Sequence, residues 1–383
     1  MPVEERTHGH ARPSRGLPAC CPTPSPCNSG GHANSTSRRP RRSRSSRRQS
    51  ARTAPAASSS FVRTGSLPCF ADPGSVEWLD DDDLEARLRR LRTEGTAWLG
   101  EGDQRPGFVG RFSLAGRQRK TALLFDGYRW GVPAGRIPTT HILKPAIEDY
   151  ADQEINEHLC LAAARIAGLV TVESRVQAFG TESVIVVTRY DRQKIGDRLV
   201  RIHQEDLCQA LGVHPDRKYQ SDGGPGPRQI ASLLRAVMPA DIAERSVARF
   251  ADALIWNWIV GGTDAHAKNY SLLLAGAAVR LAPFYDVTSA LPYGNPHDLR
   301  LAMKVDDGYA LLHHRNPWPV AAHALGVDAG WLTARATELC DAAPPAFTAA
   351  AADPAVAAFG KRSTGRLVEL VERSATRCLR LLR

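Results

Sequence analysis

Apolar and polar positions change their period several times along the 383 residues, and each change marks an element. Residues 1–70 show no apolar period. They are rich in Pro, Ser, Arg and Gly, bury too little to offset chain entropy, and are expected to be disordered. From Ser75 the texture changes. Leu84, Leu88 and Leu91 follow Asp80 to Asp83 at helical spacing, which predicts an amphipathic helix with an acidic first turn. Two β-prone runs flank a small-residue turn between Arg111 and Leu124 and predict a hairpin. Trp130 and Val132 extend a short sheet that turns at Pro133 to Gly135. Thr140 to Pro145 is a strand carrying Lys144 near its end. Glu154 to Ala167 predicts a helix with Leu159, Leu161, Ala162 and Ile166 on its apolar face, stopping at Gly168.

Val184 to Val187 is a continuous apolar run, the pattern of a strand buried on both faces, and Thr188 to Arg192 leaves it as a polar linker. From Ile202 the chain is expected to turn helical, with Gln204, Glu205 and Asp206 starting a helix through Leu211. Lys218 to Gly226 is a rigid loop to which spacing assigns no chemistry. Asp241 to Gly261 is a long apolar helix. Tyr270 to Leu274 and Val279 to Ala282 form a hairpin, and helices fill 325–383, including Thr364 to Leu382.

With 43% apolar and 23% charged residues the chain has room for two domains or one two-lobed enzyme. The formal charge of +10 suggests a nucleic-acid partner until it is located. Twelve Arg against Glu4 and Glu5 place it all within residues 1–64, so the remainder is neutral. The run Arg38 to Arg48 can bind phosphates through counterion release. The favoured reading is that this stretch is translated upstream filler. Of eight Cys, Cys160, Cys208, Cys340 and Cys378 sit in apolar stretches and read as buried free thiols of a reducing cytoplasm. No apolar run reaches the length of a membrane span, and no apolar signal-peptide core follows the first charges.

The chemistry concentrates at Gly262 to Ser271. Phosphoryl transfer needs a carboxylate to orient the attacking hydroxyl, and an amide with a second carboxylate to hold Mg²⁺ against the phosphates. Asp264, Asn269 and Asp286 have the order and spacing of those groups in a protein kinase. An Asx-rich turn is the competing reading of the interval, and the hairpin leading to Asp286 weighs against it. Backbone amides of the Arg111 to Leu124 turn can approach a polyphosphate, though one Gly makes a weak motif. Lys144 on an apolar strand needs an anion, either a nucleotide phosphate or Glu157, unless it reaches out to water. Thr188 to Arg192 lies where a kinase hinge reads the adenine edge, with Asp191 placed to bond ribose.

These stretches resemble HipA, the serine/threonine-kinase toxin family of bacterial toxin–antitoxin modules. The likeness runs from about Ser75 onward. It is carried by Ser113 to Gln118, Pro138 to Lys144, Asn156-Glu157, Arg189 to Arg192, Gln204 to Asp206, Lys218-Tyr219 with Ser221 to Gly226, Thr263 to Asn269, and Pro283 to Asp286. The resemblance implies an α+β, two-lobed protein-kinase-like fold, with a β-rich lobe over 75–192 and a mostly helical lobe over 193–383. It implies ATP and Mg²⁺. Asp264 would be the catalytic base, supported by His266 and Lys268. Asn269 and Asp286 would hold the metal. Lys144 would bind phosphates beneath a loop that includes Ser113, Ala115, Gly116 and Gln118. Thr188, Tyr190 and Asp191 would hold adenosine. Ser113 matches the serine that the family autophosphorylates in trans, where new charge repels nucleotide phosphates and expels the loop.

The implied substrate class is aminoacyl-tRNA synthetases, glutamyl-tRNA synthetase among them, with growth arrest as the outcome. The implied partner is a HipB-like helix-turn-helix antitoxin, through which DNA is contacted indirectly. One departure is expected to matter. Where family members carry an N-terminal β-rich subdomain, this chain has its Arg/Ser/Pro tail, so the expectation is either a gene truncated or misread upstream or a separate small protein that supplies that part. Two other functions stay in view: a non-catalytic co-repressor acting with the antitoxin, and a small-molecule kinase of the aminoglycoside type.

Overall fold

The computed structural model describes residues 74–94, 118–147, 150–359 and 361–383, all within one compact unit from Thr64 to Arg383. The tail and the turn from Ser113 to Gly116 lie outside the described residues. In chain order the elements are β1 (Val76–Leu79), α1 (Asp81–Glu94), β2 (Thr121–Phe125), β3 (Trp130–Pro133), β4 (His141–Pro145), α2 (Gln153–Ile166), β5 (Ser174–Phe179) and β6 (Glu182–Thr188). They continue as β7 (Arg192–Ile195), β8 (Arg198–Arg201), β9 (His203–Asp206), α3 (Leu207–Ala210), α4 (Pro227–Val237) and α5 (Ala240–Val260). Last come β10 (Ser271–Ala275), β11 (Ala278–Leu281), α6 (Trp318–Leu325), α7 (Ala329–Ala351), α8 (Pro354–Ala357) and α9 (Lys361–Leu382). The class is α+β, a strand-rich part followed by a mostly helical one.

An antiparallel sheet in the order β1-β3-β2-β4-β6-β5 organises the first part. Strand alternation sorts its side chains. Val184 and Val186 of β6, with Leu143 of β4, join Leu84 and Leu88 of α1 in one cluster. Ile185 and Val187 face the other way and pack with Ile155 and Leu159 of α2 in the main core. The unbroken apolar run of β6 is thus explained by burial on both faces. Lys144, next to Leu143, falls on the α2 side, which is why it meets that helix. The acidic start of α1 is as expected, with Asp80 Oδ1 accepting from the amide of Asp83 at 2.8 Å.

The helical part is built on α5, whose Phe250, Ile255, Trp256 and Trp258 are fully buried. Gly261 ends it in the left-handed region, φ +66°, and Gly262 packs so closely that a Cβ would lie 2.0 Å from Asn257 Oδ1. α7 and α9 close the bundle, with Cys340 and Cys378 buried as free thiols, as are Cys160 and Cys208.

One sequence expectation is overturned. Gln204, Glu205 and Asp206 do not begin a helix. They form β9 and pair with β10, Glu205 opposite Leu272 and Asp206 opposite Ser271, in a sheet ordered β11-β10-β9. The edge of β10 takes their backbone groups, a long-range demand that local polarity does not signal. The helix starts one residue later, capped by Asp206 Oδ1 accepting from Gln209 N at 2.9 Å.

Candidate functional site

The loop after α5 folds on its own backbone. His266 N donates to Asp264 O at 2.8 Å, Asn269 N to His266 O at 2.9 Å, and Asn269 Nδ2 to Asp264 O at 2.8 Å. Asn269 Nδ2 is engaged within the loop, and its side-chain oxygen accepts no hydrogen bond among the described residues. Lys268 fastens the loop from outside, Nζ donating to Asp206 Oδ2 at 2.7 Å. It therefore supports the loop by anchoring it to the cap of α3. The base candidate Asp264 has a side chain 68% exposed. His266 is buried, and burial pushes its imidazole below the ordinary range despite the nearby Asp264 carboxylate.

The β10–β11 hairpin delivers Asp286 to the same place. Asp286 takes a left-handed backbone, φ +59°, an uncommon conformation for a residue with a side chain. Lys144 Nζ bridges two carboxylates, 2.6 Å from Glu157 Oε1 and 2.7 Å from Asp286 Oδ1. Burial opposes the charge on Lys144, but Asp286 and Glu157 outweigh it and hold the amine above the usual lysine range. Burial likewise works against the Asp286 carboxylate, and Lys144 with Lys120 overrides it and holds the group well below the usual carboxylate range. Burial raises Glu157, with Lys144 pulling the other way. The strand lysine, the helix glutamate and the late aspartate are thus one ion cluster.

Lys120 was missed from the sequence. β2 pairs with β4 with Thr121 opposite Leu143, and one step further brings residue 120 opposite Lys144. Burial and Lys144 push the Lys120 amine down, while Asp286 and Glu157 draw it up. The available signal was a second lysine at the end of the strand beside that of Lys144. Tyr219 was also missed as an individual: its phenol donates to Asp264 Oδ1.

The residues expected to hold adenosine make contacts of their own within the protein. Tyr190 stacks on Tyr285, centroids 5.6 Å apart, and donates to Gln204 Oε1. Thr188 ends β6 opposite His141. Asp191 is buried and held by Arg189 through bonds of 3.0 and 2.7 Å, with Arg192 Nη1 3.0 Å from Oδ2. Burial raises its carboxyl and the Arg189 bonds more than reverse this. Gln118 Nε2 donates to Gln153 Oε1 at 3.2 Å and ties the start of β2 to α2. Ser113, Ala115 and Gly116 lie outside the described residues.

The donor set fits a hard divalent cation. Asp286 keeps Oδ2 clear of Lys144, and the Asn269 amide is turned so that its oxygen is available. Two protein oxygens suit Mg²⁺, which completes its shell with water and phosphate oxygens. No group of three or more His, Cys, Asp or Glu among the described residues can hold a metal. No helix among them is long and apolar enough to cross a membrane.

Comparison with known proteins speaks to the family and the fold. Residues 112–347 match the HipA-like C-terminal domain family. The protein Y4mE of Sinorhizobium fredii, named as a candidate kinase, is 36% identical over 233 residues, 60% of this chain and 55% of that protein. The serine/threonine-protein kinase toxin HipA of Shewanella oneidensis is 32% identical over 209 residues, 52% of this chain and 48% of that protein. The chain thus spans about half the length of the curated relatives it matches. The solved Shewanella oneidensis complex of HipA, HipB and operator DNA superposes with a TM-score of 0.67 at 23% identity, covering 84% of this chain and 75% of that one, and shows a shared fold. The family model spans the Lys144–Glu157–Asp286 cluster and the Asp264 loop alike, and covers more than half of the sequence: the chain belongs to the HipA-like C-terminal domain family.

Proposed function

We propose that the protein is a kinase that transfers the γ-phosphate of ATP to a serine of a protein. The observation that carries the reading is the meeting of Lys144, Glu157 and Asp286 within 2.7 Å contacts, beside a loop that holds Asp264 and Asn269 together. Lys144 and Lys120 bind and orient the phosphates. Asn269 and Asp286 would hold Mg²⁺, which when bound would neutralise charge on the transferring group. Asp264 accepts the proton of the attacking hydroxyl. His266 lies buried beside it, Nε2 3.7 Å from Oδ1, and Lys268 keeps the loop fixed to Asp206.

The same likeness supports the finer parts of the proposal. The substrate is an aminoacyl-tRNA synthetase such as glutamyl-tRNA synthetase, Ser113 is autophosphorylated, and the consequence is growth arrest. The related HipA was solved with HipB and operator DNA; a HipB-like antitoxin is the proposed partner here. A division into a nucleotide-binding lobe up to residue 192 and a helical lobe beyond is part of the same reading.

The test is incubation with γ-labelled ATP, Mg²⁺ and candidate synthetases, followed by phosphosite mapping. Wild type labels a synthetase serine, and Asp264→Asn loses about 10²–10⁴-fold in rate, the usual contribution of a positioned base. Equal labelling by both proteins would refute the assignment of Asp264.

A further inference from the structure

Although its side chain is 68% exposed, Asp264 is not free to swing. Oδ1 accepts from the Tyr219 phenol, and the same oxygen lies 3.7 Å from His266 Nε2. No group among the described residues bonds Oδ2. The two oxygens of the base are therefore unequal, one held and one presented.

The phenol is itself held. Its ring meets His266 edge-on, centroids 5.1 Å apart. Ala267 N donates to Lys218 O at 3.4 Å, linking the tyrosine segment to the catalytic loop. Gly224 N donates to Tyr219 O at 2.9 Å, and a Cβ on Gly224 would lie 2.1 Å from Arg217 O. On the far side Gln220 N donates to Ala302 O at 3.2 Å, and Gln220 Oε1 accepts from Lys304 N at 2.7 Å. Lys218 to Gly226, which spacing left without chemistry, is a brace between the catalytic loop and residues 302–304.

We propose that Tyr219 is a positioning residue for the phosphotransfer: its phenol fixes Asp264 through Oδ1 so that Oδ2 faces the acceptor hydroxyl. This inference rests on the kinase reading. In the transfer, the acceptor oxygen bonds to the γ-phosphorus as the bond from that phosphorus to the β,γ-bridging oxygen breaks. ADP leaves, and the hydroxyl proton passes to Asp264. Tyr219 gives up no proton. An unbraced carboxylate at the surface samples several rotamers, and a general base works only within hydrogen-bond reach of its proton.

Tyr219→Phe keeps the ring and removes the donor. A hydrogen bond to a charged group contributes about 1.5–3 kcal/mol, so kcat is expected to fall about tenfold to a hundredfold with KM for ATP unchanged. In an Asp264→Asn background the same substitution is expected to cost nothing further, because the group it orients has gone. Amide exchange is measured in parallel, free of any catalytic assumption: the peptide covering Thr263 to Asn269 exchanges faster in Tyr219→Phe while α5 is unchanged. Wild-type or raised kcat in Tyr219→Phe, or a full additional loss in the Asp264→Asn background, overturns the positioning role. If the wild-type chain labels no substrate, the kinase reading itself fails; unchanged exchange in Tyr219→Phe then overturns the brace.

Discussion

Replacing Lys144 by Met keeps most of the side-chain volume and deletes the one charge between Glu157 and Asp286. The amine contacts them at 2.6 and 2.7 Å, and the side chains of Lys144 and Glu157 are 6% and 1% exposed. At an effective dielectric of about 20, each contact is about 6 kcal/mol of Coulomb attraction. Desolvation cancels much of that, and removing one partner of a buried pair costs about 3–5 kcal/mol in practice. The cost depends on pH. Without the cation, burial, which already raises Glu157, is no longer opposed by Lys144 and raises the carboxyl further. A carboxyl whose folded pKa lies above its unfolded value contributes stability below the unfolded value and loses it as pH rises through the folded one. The deficit against wild type should therefore be small near pH 5 and approach about 3–5 kcal/mol by pH 8. Urea unfolding of both proteins at several pH values, followed by tryptophan fluorescence, measures it. A deficit below about 1 kcal/mol, or one that does not change with pH, would refute the claim that this amine neutralises the buried Glu157 and the partly exposed Asp286.

Other expectations follow from the same geometry. Asp286→Asn removes the carboxylate proposed to hold the metal, so calorimetry should find ATP binding that no longer tightens on adding Mg²⁺; retained Mg²⁺ enhancement counts against that role. Gly224→Ala forces a Cβ against Arg217 O, 2.1 Å away, and should cost about 1–3 kcal/mol in stability together with kcat, because Tyr219 shifts with it. His158 is buried against Ser174, Nδ1 2.9 Å from Oγ, and burial pushes its imidazole down to about 4. Its folded pKa is below its unfolded one, so its contribution is complete above about pH 6.5 and is lost as pH falls toward 4, a span of about 3 kcal/mol. His158→Asn should flatten the unfolding curve over that window, and an unaltered pH slope would exclude His158 as its source.

Much of the site was readable as a sequence because it is local. The apolar period of α5, its stop at Gly261, the Asp264 to Asn269 interval and the hairpin before Asp286 all depend on residues close together in the chain. So do the acidic start of α1 and the doubly buried run of β6. Tertiary structure alone decided what those pieces touch. Lys144 and Asp286 are 142 positions apart, and they meet because strand alternation turns Lys144 toward α2 and the hairpin returns the chain to it. The register of β2 on β4 brings Lys120 beside them. Pairing with β10 made a strand of Gln204 to Asp206, whose local pattern suggested a helix. Asp191 is met by Arg189 and Arg192, contacts that spacing did not announce. The phenol of Tyr219 reached Asp264 across 45 positions. Periodicity and capping are written within a turn or two of chain, whereas ion pairs and strand partners form between segments whose proximity exists only after the core has closed.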